Sequence, residues 1–160
     1  IQLKKRRTYN GEEIANIYVK SKRNLTAINC PSKLNSSAID EFLIIFLVAA
    51  KAKGISKFKN LGEMNKKESK RLDISIKFLK LIGIKVERFQ NDINIYGKPN
   101  LTLSKNFEIK NFLKDHRVFF LSCIAALTLG GKWKINDKDS INTSFPEFLK
   151  TLKNLGAQIN

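Results

Sequence analysis

Apolar residues in this chain come in two kinds of block. Short runs rich in Ile, Val, Phe and Tyr read as strands, and longer runs that end at glycine read as helices. Ile14 to Val19 and Leu25 to Ile28 are predicted as short strands. A helix is expected from about Ser37 to Lys53, stopped by Gly54 and opened by the capping box Ser37-x-x-Asp40. Its centre, Phe42 to Val48, is apolar on every side, which predicts a helix buried all round. Ile55 to Phe58 is the next strand. The charged turn Glu63 to Glu68 then opens a second, amphipathic helix that ends at Gly83. Ile84 to Arg88 and Ile93 to Tyr96 form a hairpin around Asn91-Asp92.

The order then recurs. A strand near Phe107 to Ile109 leads through Asp115-His116-Arg117 into a helix that is apolar on nearly all faces and ends at Gly130-Gly131. Lys132 to Ile135 is a strand, and Thr143-Ser144-Phe145-Pro146-Glu147 opens a last helix, with a capping box in Ser144-x-x-Glu147 and its close at Leu155-Gly156. Two segments superpose. Ala49-Ala50 before Gly54 matches Ala125-Ala126 before Gly130, and Leu79-Lys80-x-Ile82-Gly83 matches Leu152-Lys153-x-Leu155-Gly156. The chain is therefore α/β, with two repeat units at about 14–97 and 101–160. On this alignment Asp40 and Glu41 fall opposite His116 and Arg117, so both buried helices present polar groups at their N-termini, where one cleft could collect them.

Length and charge narrow the classes. The 160 residues suffice for one domain or for part of a larger protein. A start at Ile1 without methionine, and an end at Gln158-Ile159-Asn160 that reads as a strand beginning, favour the second. Lys and Arg number 30 against 14 Asp and Glu, a net charge of +16 that points to anionic partners. The lysines are scattered among Ile and Asn and only six residues are arginine, so small anions fit better than nucleic acid. Cys30 and Cys123 lack metal spacing and suit a reducing compartment, and a cytoplasmic location is expected. No apolar run approaches the roughly 20 residues needed to span a bilayer, so no membrane role is expected.

Two helix starts break a local rule. Arg117, and the group Lys66, Lys67, Lys70 and Arg71, place cations where the helix dipole favours anions. A bound anion held jointly by these side chains and the helix ends would explain both. Asp40 and Glu68 sit where capping carboxylates satisfy first-turn donors. His116, the sole histidine, suits a base, a ligand or a hydrogen-bonding spacer. No Gly-rich phosphate loop, zinc pattern or nucleophile elbow occurs, so neither a metal nor a cofactor is expected.

Together these segments resemble the C-terminal domain of the 5-enolpyruvylshikimate-3-phosphate synthase family. Gly11-Glu12-Glu13-Ile14-Ala15-Asn16-Ile17 is similar to its first strand, Ala38-Ile39-Asp40-Glu41-Phe42 to its helix start, and Lys67-Glu68-Ser69-Lys70-Arg71 to its charged turn. Asp115-His116-Arg117 and Thr143-Ser144-Phe145-Pro146-Glu147-Phe148 resemble its last two motifs, all in family order. The resemblance implies the enolpyruvyl transferase fold, an inside-out α/β barrel of β-α-β-α-β-β units with helices buried inside sheets. The chain would be most of the second of two domains, its N-terminal domain absent, and the complete protein a monomer. The implied reaction transfers the carboxyvinyl group of phosphoenolpyruvate to the 5-hydroxyl of shikimate 3-phosphate and releases phosphate, in aromatic amino acid biosynthesis. By position, Asp40 resembles the proton acceptor on the shikimate hydroxyls, Lys67 a shikimate 3-phosphate ligand, and Glu68 the carboxyl that protonates the methylene. Arg71 and Arg117 resemble the phosphoenolpyruvate clamp, supported by His116. The chain departs from the family at Asn65, where arginine is common, and at Lys70, where aspartate is. Three rivals are a relative acting on UDP-N-acetylglucosamine, a basic nucleic-acid-binding module and a non-catalytic paralogue.

Overall fold

The computed structural model describes residues 1–22 and 24–159. The chain opens with an antiparallel hairpin, β1 (Gln2–Tyr9) against β2 (Glu12–Tyr18), turned by Asn10 and Gly11 at positive φ. The sequence reading has no counterpart for β1, because Lys4-Lys5-Arg6-Arg7 interrupts apolar alternation. The hairpin is largely exposed, so no packing imposes that alternation.

A parallel crossover follows. The segment around Leu25 to Ile28 lies beside β3 (Gly54–Phe58) through isolated parallel bridges, not as a full strand. The Ala27 amide donates to Lys53 O at 3.0 Å, and the Lys57 amide donates to Ile28 O at 2.8 Å. The single helix expected over Ser37 to Lys53 is broken. A short helix α1 (Asn35–Ala38) gives way to a turn at Ile39 to Glu41, and α2 (Phe42–Ala50) starts afresh. The Ser37–Asp40 capping box does not form. Ser37 Oγ bonds back to Leu34 O at 3.0 Å, and the Asp40 carboxylate is occupied elsewhere. Val48 of α2 is half-exposed, so burial of this helix is not complete within the chain.

Helix α3 spans Arg71–Leu81 and leads to β4 (Lys85–Phe89) and β5 (Asp92–Gly97), which with β3 make an antiparallel sheet in the order β3-β5-β4. α3 begins later than the charged turn predicts. Gly62–Lys66 forms a 3-10 turn, and Asn65 Oδ1 accepts from the amides of Leu72 and Asp73 at 3.1 and 3.3 Å. Asn65, not Glu68, therefore satisfies the orphan donors of this helix start.

In the second unit β6 (Asn106–Ile109) runs parallel to β7 (Lys132–Ile135), with α4 (His116–Leu129) crossing between them. The last helix, α5, is only Phe148–Asn154. Its expected Ser144–Glu147 capping box is absent, because Glu147 pairs with Lys150 at 2.9 Å instead. The repeat read from sequence has a physical basis at both helix ends. Gly83 and Gly156 adopt positive φ, and the amide after each reaches back to the helix (Ile84 to Leu79 O, Ala157 to Leu152 O, both 2.9 Å). These are equivalent Schellman closures.

Helices α2, α3 and α4 pack on one another, and α2 lies on β5. Phe42, Phe46 and Phe58 form an aromatic trio with ring centroids 4.9 to 6.1 Å apart, over Ile93 and Ile95 of the central strand. The β5–α2 contact is close enough to demand glycine. A Cβ on Gly97 would lie 1.9 Å from Ala52 O and 2.7 Å from Ala49 O. We predict that Gly97→Ala destabilises the fold by at least about 2 kcal/mol, read as a lower urea midpoint at unchanged slope.

Candidate active site

The N-terminal ends of α2, α3 and α4 converge, and their polar residues form one network. At its centre is Arg71, the first residue of α3, only 1% exposed. Its Nε donates to Asp115 Oδ2 at 2.8 Å and its Nη1 to Asp40 Oδ1 at 2.7 Å. Its Nη2 donates to Glu68 Oε2 at 2.5 Å and, more weakly, to Asp115 Oδ1 at 3.3 Å. Four of the five guanidinium protons are thus used. Burial alone would lower the Arg71 pKa, but the Asp115 hydrogen bond and the charges of Asp115 and Glu68 outweigh it and raise the value.

Asp115 is the N-cap of α4 and is itself 1% exposed. It accepts from the Arg117 amide at 2.9 Å and from Ser69 Oγ at 2.7 Å, in addition to both contacts from Arg71. Burial pushes its carboxyl up, yet hydrogen bonds from Arg71 and Ser69 and the Arg71 charge hold it below the usual aspartate value. One carboxylate thereby locks the start of α3 to the start of α4.

Asp40 lies in the turn before α2, half-exposed, 3.5 Å from Lys67 Nζ as well as bonded to Arg71. Partial burial raises its pKa, but the Arg71 hydrogen bond and the charges of Lys67, Arg71 and Arg117 prevail and lower it. Asp40 is therefore an ionised acceptor at neutral pH. Glu68 sits on the open side of Arg71. Arg117, in the first turn of α4, reaches across to Glu41 Oε1 with Nη1 at 2.6 Å. His116 stands outside this ion-pair network, its ring edge-on to Phe120 at 5.8 Å. Phe120 in turn contacts Phe145 and Phe148, which seats the Thr143 to Phe148 segment beside the start of α4.

All six residues singled out from sequence (Asp40, Lys67, Glu68, Arg71, His116 and Arg117) thus lie around these helix starts. Reading by sequence alone passed over three participants: Asp115 as a ligand of Arg71, Ser69, and Glu41 as the partner of Arg117. Asp115 carried a visible signal, an acidic residue directly before an apolar helix. Lys66, one of the crowded cations, is neutralised by Glu63 at 2.8 Å. Lys67 also borders an open cleft of about 810 Å³, with Lys33, Asn35 and Asn60 on its polar side and Phe42, Leu61 and Met64 on its apolar side. Lys67 thus lines a concavity that holds both amide donors and cations, and Asp40 lies 3.5 Å from its ammonium.

A family model described as EPSP synthase (3-phosphoshikimate 1-carboxyvinyltransferase) matches residues 7–152. The 3-phosphoshikimate 1-carboxyvinyltransferase of Zymomonas mobilis is 34% identical over 154 residues, covering 95% of this chain and 34% of that protein. The protein of the same name from Ruthia magnifica is 33% identical, covering 100% of this chain and 36% of its own length. Among solved structures, an EPSP synthase from Acinetobacter baumannii superposes with a TM-score of 0.88 at 29% identity, over 99% of this chain and 36% of that one. The chain spans about a third of the length of the curated relatives it matches.

The Arg71–Asp115 pair sets a stability prediction. Asp115→Asn leaves a buried guanidinium short of charge and is expected to cost about 3–5 kcal/mol at neutral pH. The folded-state pKa of Asp115 is depressed, so its contribution is complete above the unfolded value of about 4 and fades as pH falls through the lower, folded value. Denaturation of wild type and variant as a function of pH checks this. The stability gap should begin to narrow below about pH 4 and close only below the lower, folded value.

Proposed function

We propose that this chain, which belongs to the EPSP synthase family, forms one wall of an active site that transfers the carboxyvinyl group of phosphoenolpyruvate to the 5-hydroxyl of shikimate 3-phosphate. The observation that carries the reading is the meeting of two open carboxylates, Asp40 and Glu68, with Lys67, Arg71 and Arg117 at converging helix N-termini. Such a site sets cations that can hold an anionic substrate beside groups that can exchange protons with it.

Each residue then has a role that suits its surroundings. Asp40, kept ionised by Arg71 and Lys67, accepts the proton of the 5-hydroxyl as its oxygen bonds to the enol carbon. Lys67, at the mouth of the cleft, holds the shikimate 3-phosphate side. Glu68, on the exposed flank of Arg71, delivers a proton to the methylene carbon and completes the tetrahedral adduct. Phosphate then leaves as the methyl group returns its proton to Glu68, which restores the vinyl group. Arg117 holds the phosphoenolpyruvate anion, and Arg71 joins it through its Nη edge when Glu68 turns toward the carbon. His116 supports Arg117 from the aromatic side. Positioning and electrostatics do most of the catalysis, because the acid, the base and the anion holders are fixed before the substrates arrive.

On this reading the opposite wall of the cleft belongs to the rest of the protein, which the coverage of about a third of its relatives' length supports. We expect the 160 residues alone to release no phosphate from phosphoenolpyruvate and shikimate 3-phosphate, and the complete protein to do so. In the complete protein, Asp40→Ala and Arg117→Ala should each lower turnover by about 100-fold or more. Arg117→Ala should change the melting temperature little, whereas Asp40→Ala should also lower it, because the buried Arg71 loses a partner. Near-normal rates in both would remove these residues from the site.

A further inference from the structure

At the three helix starts the ion-pair network joins four carboxylates, Asp40, Glu41, Glu68 and Asp115, to three cations, Lys67, Arg71 and Arg117. Four negative charges against three positive leave this cluster one negative charge in excess, the wrong sign for an anionic ligand. One carboxylate must therefore yield when the ligand arrives. Three of the four are committed to Arg71, and Asp115 is buried with both oxygens engaged.

Glu41 is the exception. It is 57% exposed, and its contact in the network is the single 2.6 Å bond from Arg117 Nη1. Arg117 is held from below, since Asp115 accepts from its backbone amide, but its side chain donates to Glu41 alone among the described residues. A guanidinium with one monodentate partner has a fork still to offer, and an oxyanion that engages the fork bidentately outcompetes a single carboxylate oxygen. Glu41, released, passes directly into water.

Resting on the reading above that the site takes phosphoenolpyruvate, we propose that Glu41 is an internal competitor for that anion. It occupies Arg117 in the empty site and gives the guanidinium up to the ligand. Glu41 keeps Arg117 from folding back onto the buried carboxylates, at a cost in ligand affinity. It acts through Arg117 and does not touch the reacting atoms.

The test uses the complete protein with wild type, Glu41→Gln, Arg117→Ala and the double variant. Titration calorimetry with phosphoenolpyruvate should show Kd falling about two- to fivefold in Glu41→Gln, the range an exposed ion pair of this kind supports. The gain should vanish in the Arg117→Ala background, and KM for shikimate 3-phosphate should not move. An unchanged or raised Kd, a gain that persists without Arg117, or no binding heat in any of the proteins would overturn the proposal. Phosphate release with both substrates is measured in parallel. If wild type releases none while Glu41→Gln still tightens phosphoenolpyruvate, the catalytic reading fails and the competition stands; normal turnover with no tightening gives the reverse.

Discussion

The contact between Arg71 and Asp115 is the constraint on which the rest of this structure depends. Both groups are withdrawn from water, and an ion pair so placed is tolerable only when nearly all of its hydrogen-bonding capacity is used. Here it is used. Asp115 takes donors from Arg71, Ser69 and the Arg117 amide, and Arg71 spends its other protons on Asp40 and Glu68. Leaving any one of these partners out would strand charge in the interior. The turn before α2, the loop before α3 and the first turn of α4 are therefore held in one arrangement by electrostatics as much as by apolar packing.

That arrangement resolves the conflict posed by cations at helix N-termini. Arg71 sits against the positive end of α3, but three carboxylates surround it, so the local field it experiences is negative. Asp115 caps α4 in the favourable sense, and its neighbour Arg117 is directed away from the helix end toward Glu41. The dipole penalty of a fraction of a kcal/mol is small beside the charge-assisted bonds that replace it. Lys67 and Arg117 are partly open to solvent, and the Nη2 edge of Arg71 is covered by the exposed Glu68 rather than by the buried pair. The more exposed side chains thus lie on the rim of the network, and its centre holds Asp40 and Glu68 in place.

Burial of α2 and α4 makes such a rim possible. Helices packed on sheet and on one another present their first turns to solvent and bury most of their flanks, Val48 and Leu127 apart. Ion pairs such as Arg88–Asp73 and Lys114–Asp139 lie elsewhere, and a network that joins three helices sits at their starts. The aromatic contacts of Phe120 with His116, Phe145 and Phe148 extend that region to the last loop.

Much of this was legible in the amino-acid order, because it depends on local physics. Glycines after α3, α4 and α5, the uninterrupted apolar centres of α2 and α4, and the hairpin of β4 and β5 all follow from backbone freedom and hydrophobic period. The matched glycine and alanine spacings also align Asp40-Glu41 with His116-Arg117. What the order could not decide was how the polar side chains would be shared. Ser37 with Asp40, and Ser144 with Glu147, have the spacing of capping boxes, yet neither box forms. In the first case a buried arginine 31 residues away claims the carboxylate, and in the second a lysine one turn on does. The hairpin partner β1 was hidden because it packs against nothing that would enforce alternation. Sequence determined which segments would be helix or strand and which charges would crowd the helix starts. Only tertiary structure decided that Arg71 is interior and Arg117 open, since the choice depends on which carboxylates three separate helices bring within about 3 Å of each guanidinium.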